Sequence, residues 1–302
     1  MQIGLQDYIV EETSDEYTLY SNDFSLCSRK VRICLYEYGL EFRSKHVDLI
    51  ETGKYEVASK DFLKINPQAT VPVLLFEGKP VYESHEQIKF IHSRNPDQKV
   101  ISEEDQKLID FWVEKSSMVG NPVKDHKIYA GNTIGPLTFP LFASMLVYVP
   151  FLEILKGLIL HPIKERVLMF LMLKIFGFKL FNTPIIKRLI KSAFYDLNNH
   201  LQELETKLST DEADWLIGED FTLADISWSV IFHRLEECGW YGLLTKNKPF
   251  IKSYYEKIKQ RPSFRKGITE QHNPNLLKGI RDLKEAVKED LSLKSLYKDL
   301  NE

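Results

Sequence analysis

Apolar residues change their spacing near residue 100 of this 302-residue chain. Before that point, short strand-like and short helical patterns alternate. Tyr17–Tyr20 reads as a strand, and Val31, Cys34, Leu35 and Tyr38 recur at the spacing of a helix that Gly39 stops. Glu41–Val47 reads as a second strand and Lys60–Ile65 as a short helix ending before Asn66-Pro67. Val73–Phe76 and Pro80–Tyr82 flank Glu77-Gly78-Lys79, the pattern of a hairpin, and Ser84–His92 closes the region as a helix. The order βαβ–αββα predicts a compact α/β domain over residues 16–97, preceded by a loose extension over residues 1–15.

Helical spacing dominates the remainder. Asp105–Lys115 opens it, and Ala193–Leu208 sets Phe194, Leu197, Leu201, Leu204 and Leu208 on one stripe. Thr222–Glu237, Pro249–Lys259 and a short helix near Ser263 follow. These predict an all-helical domain over residues 104–270, then a charged, solvated helical tail over 271–302. Two such domains in sequence predict a ligand cleft between them.

The middle of the helical region breaks the pattern. Ile128–Leu152 holds no charged residue over twenty-five positions, and Lys156–Lys191 then carries eight basic residues against one acid, Glu165. The uncharged run is long enough to span a bilayer, yet Gly131, Asn132, Gly135, Pro136, Pro140 and Pro150 argue against one straight helix. Residues 128–191 therefore read as an insertion in the helical domain. It could be a wall of an acceptor-substrate pocket, a membrane-surface attachment or a bilayer span.

Composition narrows the function. A net charge of −3 gives no general reason to expect nucleic acid, and the scattered histidines show no metal-ligand spacing. Neither a dinucleotide-binding glycine pattern nor a phosphate-binding loop occurs. Three cysteines, an odd number, and an acidic start without the blocks of a signal peptide predict a reducing, cytoplasmic setting.

Chemistry is concentrated in three short segments. Ser25-Leu26-Cys27-Ser28 lies between the first strand and the first helix. A cysteine in a first helical turn meets free amides and the positive end of the dipole, where thiol pKa values fall from about 8.5 toward ~3.5–7.5. Arg29, Lys30 and Arg32 add positive charge nearby. Ser25 can donate its hydroxyl to a thiolate or simply cap the helix; Cys27 can attack or resolve a mixed disulfide, or simply pack. The second segment is Val71-Pro72 at a strand entry. A cis bond there would turn the Val71 backbone outward to pair with an extended peptide, whereas a trans bond would only open the strand. In the third, Ser84 and Gln87 have the spacing of a capping box; the same helix start could hold a small peptide's charged end, with Glu83 on an ammonium. Thr222 and Asp225 form a second capping box, read as purely structural.

A hydroxyl and a thiol two residues apart at a helix start, followed by a strand-entry proline, resemble the soluble glutathione transferases. The run Ser25-Leu26-Cys27-Ser28-Arg29-Lys30-Val31-Arg32-Ile33 is most similar to the zeta class and to the related tetrachlorohydroquinone reductive dehalogenases. Phe221–Trp228 and Tyr254–Phe264 are similar to the helical domain of the latter. The resemblance implies a thioredoxin-like domain followed by an all-α transferase domain, glutathione as co-substrate, no metal, and a homodimer. It implies that Ser25 activates the glutathione thiol and Cys27 is the second sulfur. Val71, beside Pro72, would pair with the cysteinyl backbone, and Glu83 and Ser84 would hold the γ-glutamyl end. Leu26 and Arg29 depart from the zeta pattern, which points away from the isomerase activity of that class. The function expected is transfer to an apolar electrophilic acceptor, by conjugation or reductive dehalogenation. The competing expectations are a non-catalytic relative attached to membranes through the middle insertion and a glutathione-binding scaffold protein.

Overall fold

A computed structural model describes residues 2–95, 101–121, 124–210, 213–271 and 273–301. The chain forms two compact units. One gathers the described part of residues 1–100 with Val147–Leu171 and Arg261–Leu276; the other gathers residues 101–146, 172–260 and 277–302.

The first unit is built on a five-stranded sheet in the order β1-β5-β4-β2-β3. Its strands are β1 (Gly4–Leu5), β2 (Tyr17–Ser21), β3 (Arg43–His46), β4 (Val73–Phe76) and β5 (Lys79–Tyr82). Only β2 and β3 run parallel; β4 is antiparallel to both β2 and β5, and β1 to β5. Residues 4–5 are thus a strand of the sheet, in a stretch where the sequence suggested only a loose extension. Polar β3 takes one edge, where an apolar strand would invite further pairing.

Three helices belong to this sheet: α1 (Leu26–Glu37), α2 (Lys60–Ile65) and α3 (Ser84–Ser93). Strand β4 is apolar at every position because both its faces are covered. Val73 and Leu75 join Phe62 and Ile65 of α2 in one cluster, along with Val47, Leu49 and Tyr82. The β4–β5 turn uses Glu77 and Gly78, both at positive φ, the conformation of a tight hairpin. A side chain at Gly78 would come within 2.1 Å of the Glu11 carbonyl oxygen, so the close approach of the N-terminal segment requires glycine there.

Segments remote in sequence complete this unit. Gly267, in a wide turn over Arg265–Thr269, presses on α1: a Cβ there would lie 3.0 Å from the Ile33 nitrogen. Arg32 Nε donates to the Gly267 carbonyl at 2.9 Å, and Glu37 accepts from Arg261 and Ser263. Residues 261–276 therefore belong to the α/β unit, although the sequence pattern assigned most of them to the helical domain.

The middle segment is divided as well. Helix α4 (Glu103–Lys115) opens the second unit and α5 (Ala130–Leu146) follows. Pro136 and Pro140 lie inside α5, but the uncharged run is not one straight helix: α5 ends at Leu146 and Pro150 is the N-cap of α6 (Phe151–Leu160). The helix is buried almost throughout, and burial holds it where isolated sequence preference would not. Asn132 Nδ2 donates to the Val119 carbonyl at 2.7 Å, and Gly131 lets the 116–117 turn approach, since a Cβ would meet the Ser117 carbonyl oxygen at 2.3 Å. Most of the uncharged run is thus a core helix. Its end leads into α6 (Phe151–Leu160) and α7 (Lys164–Phe176), which lie in or start in the α/β unit rather than wholly on the helical domain. Gly157 of α6 touches the Tyr55 ring, and Arg166 of α7 pairs with buried Glu51 at 2.9 Å.

The rest of the second unit comprises α8 (Pro184–Thr210), α9 (Leu223–Glu237), α10 (Tyr241–Leu244) and α11 (Pro249–Lys259). A three-residue helix α12 (Pro262–Phe264) then belongs to the first unit, and α13 (Pro274–Glu289) and α14 (Leu291–Asn301) follow. Helix α9 is buried on all sides. The tail is helical with its charges outward, and it also packs along one side: Leu293, Leu296 and Tyr297 are buried, and the Tyr297 ring stacks on Trp240 at 3.8 Å. The charges that suggested a free tail lie on the outer faces of helices whose apolar stripes pack.

The Thr222–Asp225 capping box forms as expected. Asp225, fully buried, accepts from Thr222 N–H, Thr222 Oγ1, Leu216 N–H at 3.0 Å and Tyr254 OH at 2.6 Å. Replacing it strands four donors. Asp225→Ala is expected to lower unfolding stability by about 3 kcal/mol or more, measured by urea denaturation.

Candidate active site

The strand register sets where the chemical residues lie. In the antiparallel ladder Tyr20 faces Val73, and Leu74 faces Val81. The exit of β2, the entry to β4 and the exit of β5 therefore share one end of the sheet. Ser25 and Cys27 follow β2, Val71 and Pro72 precede β4, and Glu83 and Ser84 follow β5. The fold brings together six residues spread over some sixty positions.

Ser25 is the N-cap of α1, and its Oγ accepts from Ser28 N–H at 3.3 Å. The cap uses a lone pair and leaves the hydroxyl proton available, so capping and donation to a thiolate are compatible. Asn22 braces the loop that presents it: its side chain donates to the Val47 carbonyl at 2.9 Å and accepts from Phe24 N–H at 2.9 Å. Cys27 is partly exposed, whereas Cys34 and Cys238 are buried. Burial pushes the Cys34 thiol well above its usual range, as suits a packing role.

The three cations expected to surround Cys27 are themselves buried, and two of them bind backbone. Arg29 Nε donates to the Asp23 carbonyl at 2.8 Å, and Arg32 reaches Ser21, Asn22 and Gly267. The charge of Lys30 couples to Cys27: burial lowers the Lys30 pKa to about 8, partly offset by the Cys27 charge. His85 of α3 senses the same ammonium. Burial first, then Lys30 and Lys89, depress it to about 4. Sequence reading did not single out His85 as a site residue; its signal is only that it follows Ser84 at a helix start.

The Val71–Pro72 bond is cis. Val71 lies outside the β ladder, which begins at Val73. The capping box expected between Ser84 and Gln87 does not form, because α3 starts at Ser84 and its N-cap is Glu83. Gln87 instead donates to the Pro72 carbonyl at 3.0 Å and the Val81 carbonyl at 2.7 Å, tying α3 to both strand segments. No side chain caps α3, which leaves first-turn amides for an anion. Glu83 sits at φ +67°, a strained setting for a non-glycine residue, and burial raises its carboxyl pKa. Among the described residues no cation pairs with this carboxylate; beside uncapped amides, it suits a group bearing both an ammonium and a carboxylate.

A serine hydroxyl and a partly exposed thiol at one helix start share an end of the sheet with a cis strand-entry proline and an uncapped second helix, which makes this end the candidate site. Residues 24–94 match the glutathione S-transferase N-terminal domain and residues 188–270 the C-terminal domain of the same family. Together these cover half of the chain, which belongs to the glutathione S-transferase family. It is similar to the tetrachloro-p-hydroquinone reductive dehalogenase of Sphingobium chlorophenolicum, 24% identical over 88% of this chain and 99% of that one. Among solved structures it is similar to the β-etherase LigF of Sphingobium sp. strain SYK-6, with a TM-score of 0.67 and 22% identity over 84% of this chain and 99% of that one. It is also similar to a Pseudomonas fluorescens glutathione transferase family member with two glutathione bound, with a TM-score of 0.58 and 18% identity over 85% and 94% of the two chains. The thioredoxin-like domain followed by a helical domain, expected from the sequence, is the fold of this family.

Histidine titration gives a prediction. His85 and His92 on α3 both have lowered pKa values, with burial the leading cause. Between His85's folded value of about 4 and the unfolded value near 6.5, the unfolded chain binds more protons than the folded one. Stability from these groups is present above ~6.5 and is lost as pH falls toward about 4. Melting temperature should drop over that window, and less steeply in His85→Gln.

Proposed function

We propose that this chain is a glutathione-dependent transferase acting on an apolar electrophilic acceptor. The observation that carries the reading is the pairing of Ser25's available hydroxyl proton with the uncapped start of α3 beside Glu83. Glutathione, the co-substrate, lies with its γ-glutamyl carboxylate on the α3 amides and Ser84, and its ammonium at Glu83. Its cysteinyl backbone pairs with Val71 beside Pro72, and its thiolate accepts from Ser25. The thiolate attacks the acceptor carbon and expels a leaving group, which completes conjugation. In the reductive version the Cys27 thiolate attacks the conjugate's sulfur, the acceptor carbon leaves with the electron pair and takes a proton, and Cys27 holds glutathione as a mixed disulfide. A second glutathione thiolate frees Cys27 and departs as glutathione disulfide. The relatives named as a reductive dehalogenase and a β-etherase support this chemical class. We propose a cytoplasmic homodimer as its working form.

The second reading keeps the fold without turnover, as a membrane-attached or scaffold protein. The exposed apolar side chains of α6 and α7 favour its membrane half. Glutathione-dependent conjugation or dehalogenation of chlorinated hydroquinones by the purified chain separates the two; turnover with neither would remove the enzymatic reading.

Ser25→Ala is expected to slow all glutathione-dependent turnover by about 10²-fold, the loss typical of one donor to a reacting anion. Cys27→Ser should spare conjugation and stall the reductive reaction with glutathione still bonded to the product, seen by mass spectrometry. Normal reductive turnover by Cys27→Ser would restrict Cys27 to packing.

Glu83→Gln with Ser84→Ala should weaken glutathione binding by ~1.5–3 kcal/mol for each charge-assisted bond lost, read by calorimetry. Burial raises the Glu83 pKa, and a bound ammonium favours its ionised form. Glutathione affinity should therefore fall as pH drops through the Glu83 titration, with proton release on binding. Affinity and proton release that are unchanged in Glu83→Gln would place the γ-glutamyl end elsewhere.

A further inference from the structure

Single exposed apolar side chains are ordinary on protein surfaces, but here they are concentrated. On α6, Leu152 is 71% exposed and Ile159 84%, two turns apart on one face with Lys156 between them. The opposite face buries Ile154 and sets Gly157 on the Tyr55 ring. Helix α7 repeats the arrangement: Val167, Phe170 and Leu171 are buried, while Leu168, Met172 and Ile175 recur at helical spacing on the exposed side. A surface helix of a water-exposed domain has one apolar face, whereas these two have a second.

Length and charge indicate what covers the second face. Helix α6 extends roughly 15 Å and α7 roughly 20 Å, each short of a hydrocarbon core of about 30 Å. Among the described residues no single helix is long and apolar enough to cross a membrane; one bent pair, Lys164–Asn182 with Pro184–Thr210 at 77°, passes only when taken together. Residues 156–191 carry a net charge of +7 in a chain of net −3. Arg166 is matched by Glu51, and Lys187 and Lys191 share Asp299; Lys156, which pairs with Glu153 one turn before it at 2.5 Å, and Lys164, which donates to the Ile159 carbonyl at 3.2 Å, are exposed around the apolar side chains. Two copies meeting through this face would bring like charges together. An anionic headgroup layer over an acyl interior complements both features.

We propose that the outward faces of α6 and of the first half of α7, through Leu168, form an attachment surface for an anionic lipid bilayer, with the helices lying along the interface and Lys156 and Lys164 reaching the headgroups. This deepens the membrane half of the second reading and is independent of turnover. The test is flotation of the full chain with phosphatidylcholine vesicles, with and without phosphatidylserine, at low and high salt. The wild type should float with the anionic vesicles, less so at high salt. Leu152→Glu with Ile159→Glu, and separately Lys156→Glu with Lys164→Glu, should each reduce partitioning at least about tenfold. Unchanged circular dichroism and melting temperature would show that the variants fold. Absence of wild-type flotation at low salt, or equal flotation of folded variants, overturns the proposal. So does a wild-type dimer that binds no vesicles and dissociates in Leu152→Glu with Ile159→Glu, which would assign the face to a second copy. Glutathione binding by a chain that does not float would separate failure here from failure of the glutathione reading.

Discussion

Strand β4 is the constraint on which the α/β unit depends. Val73, Leu74 and Leu75 are wholly buried, so β4 must have a strand on each side and cover on each face. Antiparallel neighbours satisfy the first requirement, and their register fixes which loop ends meet. The candidate site is a by-product of that burial: Ser25, Val71 and Glu83 meet because β2, β4 and β5 pair as they do. Gln87 secures the arrangement with one amide, bonding the Pro72 and Val81 carbonyls from the first turns of α3.

Around this end of the sheet, charge is organised by burial more than by pairing at the surface. Arg29 and Arg32 anchor the start of α1 to backbone carbonyls, and Arg32 reaches a segment more than two hundred residues away. They orient the helix whose N-cap is Ser25. Lys30 and His85 have lowered pKa values for the same reason, removal from water, and both lie near Cys27 or the start of α3. Glu83 is raised for the mirror reason. Among the described residues the Glu83 carboxylate has no ion-pair partner and no side chain caps α3, the feature on which the proposed glutathione site rests.

Helices α5, α6 and α7 show how one unusual stretch of sequence serves different ends. The uncharged run is mostly α5, which tolerates Pro136 and Pro140 because close packing and side-chain bonds such as Asn132 to Val119 hold it in place. The following residues pack against Tyr55 and Glu51 in the α/β unit and leave a second apolar face outward. Apolar residues mark burial in α5 and, interleaved with charges, exposure on α6 and α7, and hydropathy alone does not distinguish them.

Local sequence signals were enough to indicate the elements of the α/β unit and the helical character of the remainder, and they marked the segments around Ser25, Pro72 and Glu83 as candidates. These depend on short-range signals: apolar period, a Glu-Gly turn, a capping residue. The Thr222–Asp225 box was equally legible, since both partners lie within one helical turn. Only in the folded chain does Glu83, and not Ser84, become the N-cap of α3, because the Gln87 amide is drawn to the Pro72 carbonyl before β4 and the Val81 carbonyl in β5 and not to its own helix start. Tertiary structure also decided that residues 4–5 join the sheet, that residues 261–276 lie on α1, and that the charged tail is packed. In each case the deciding contact is made between residues far apart in the chain, where no periodicity within a window records the partner.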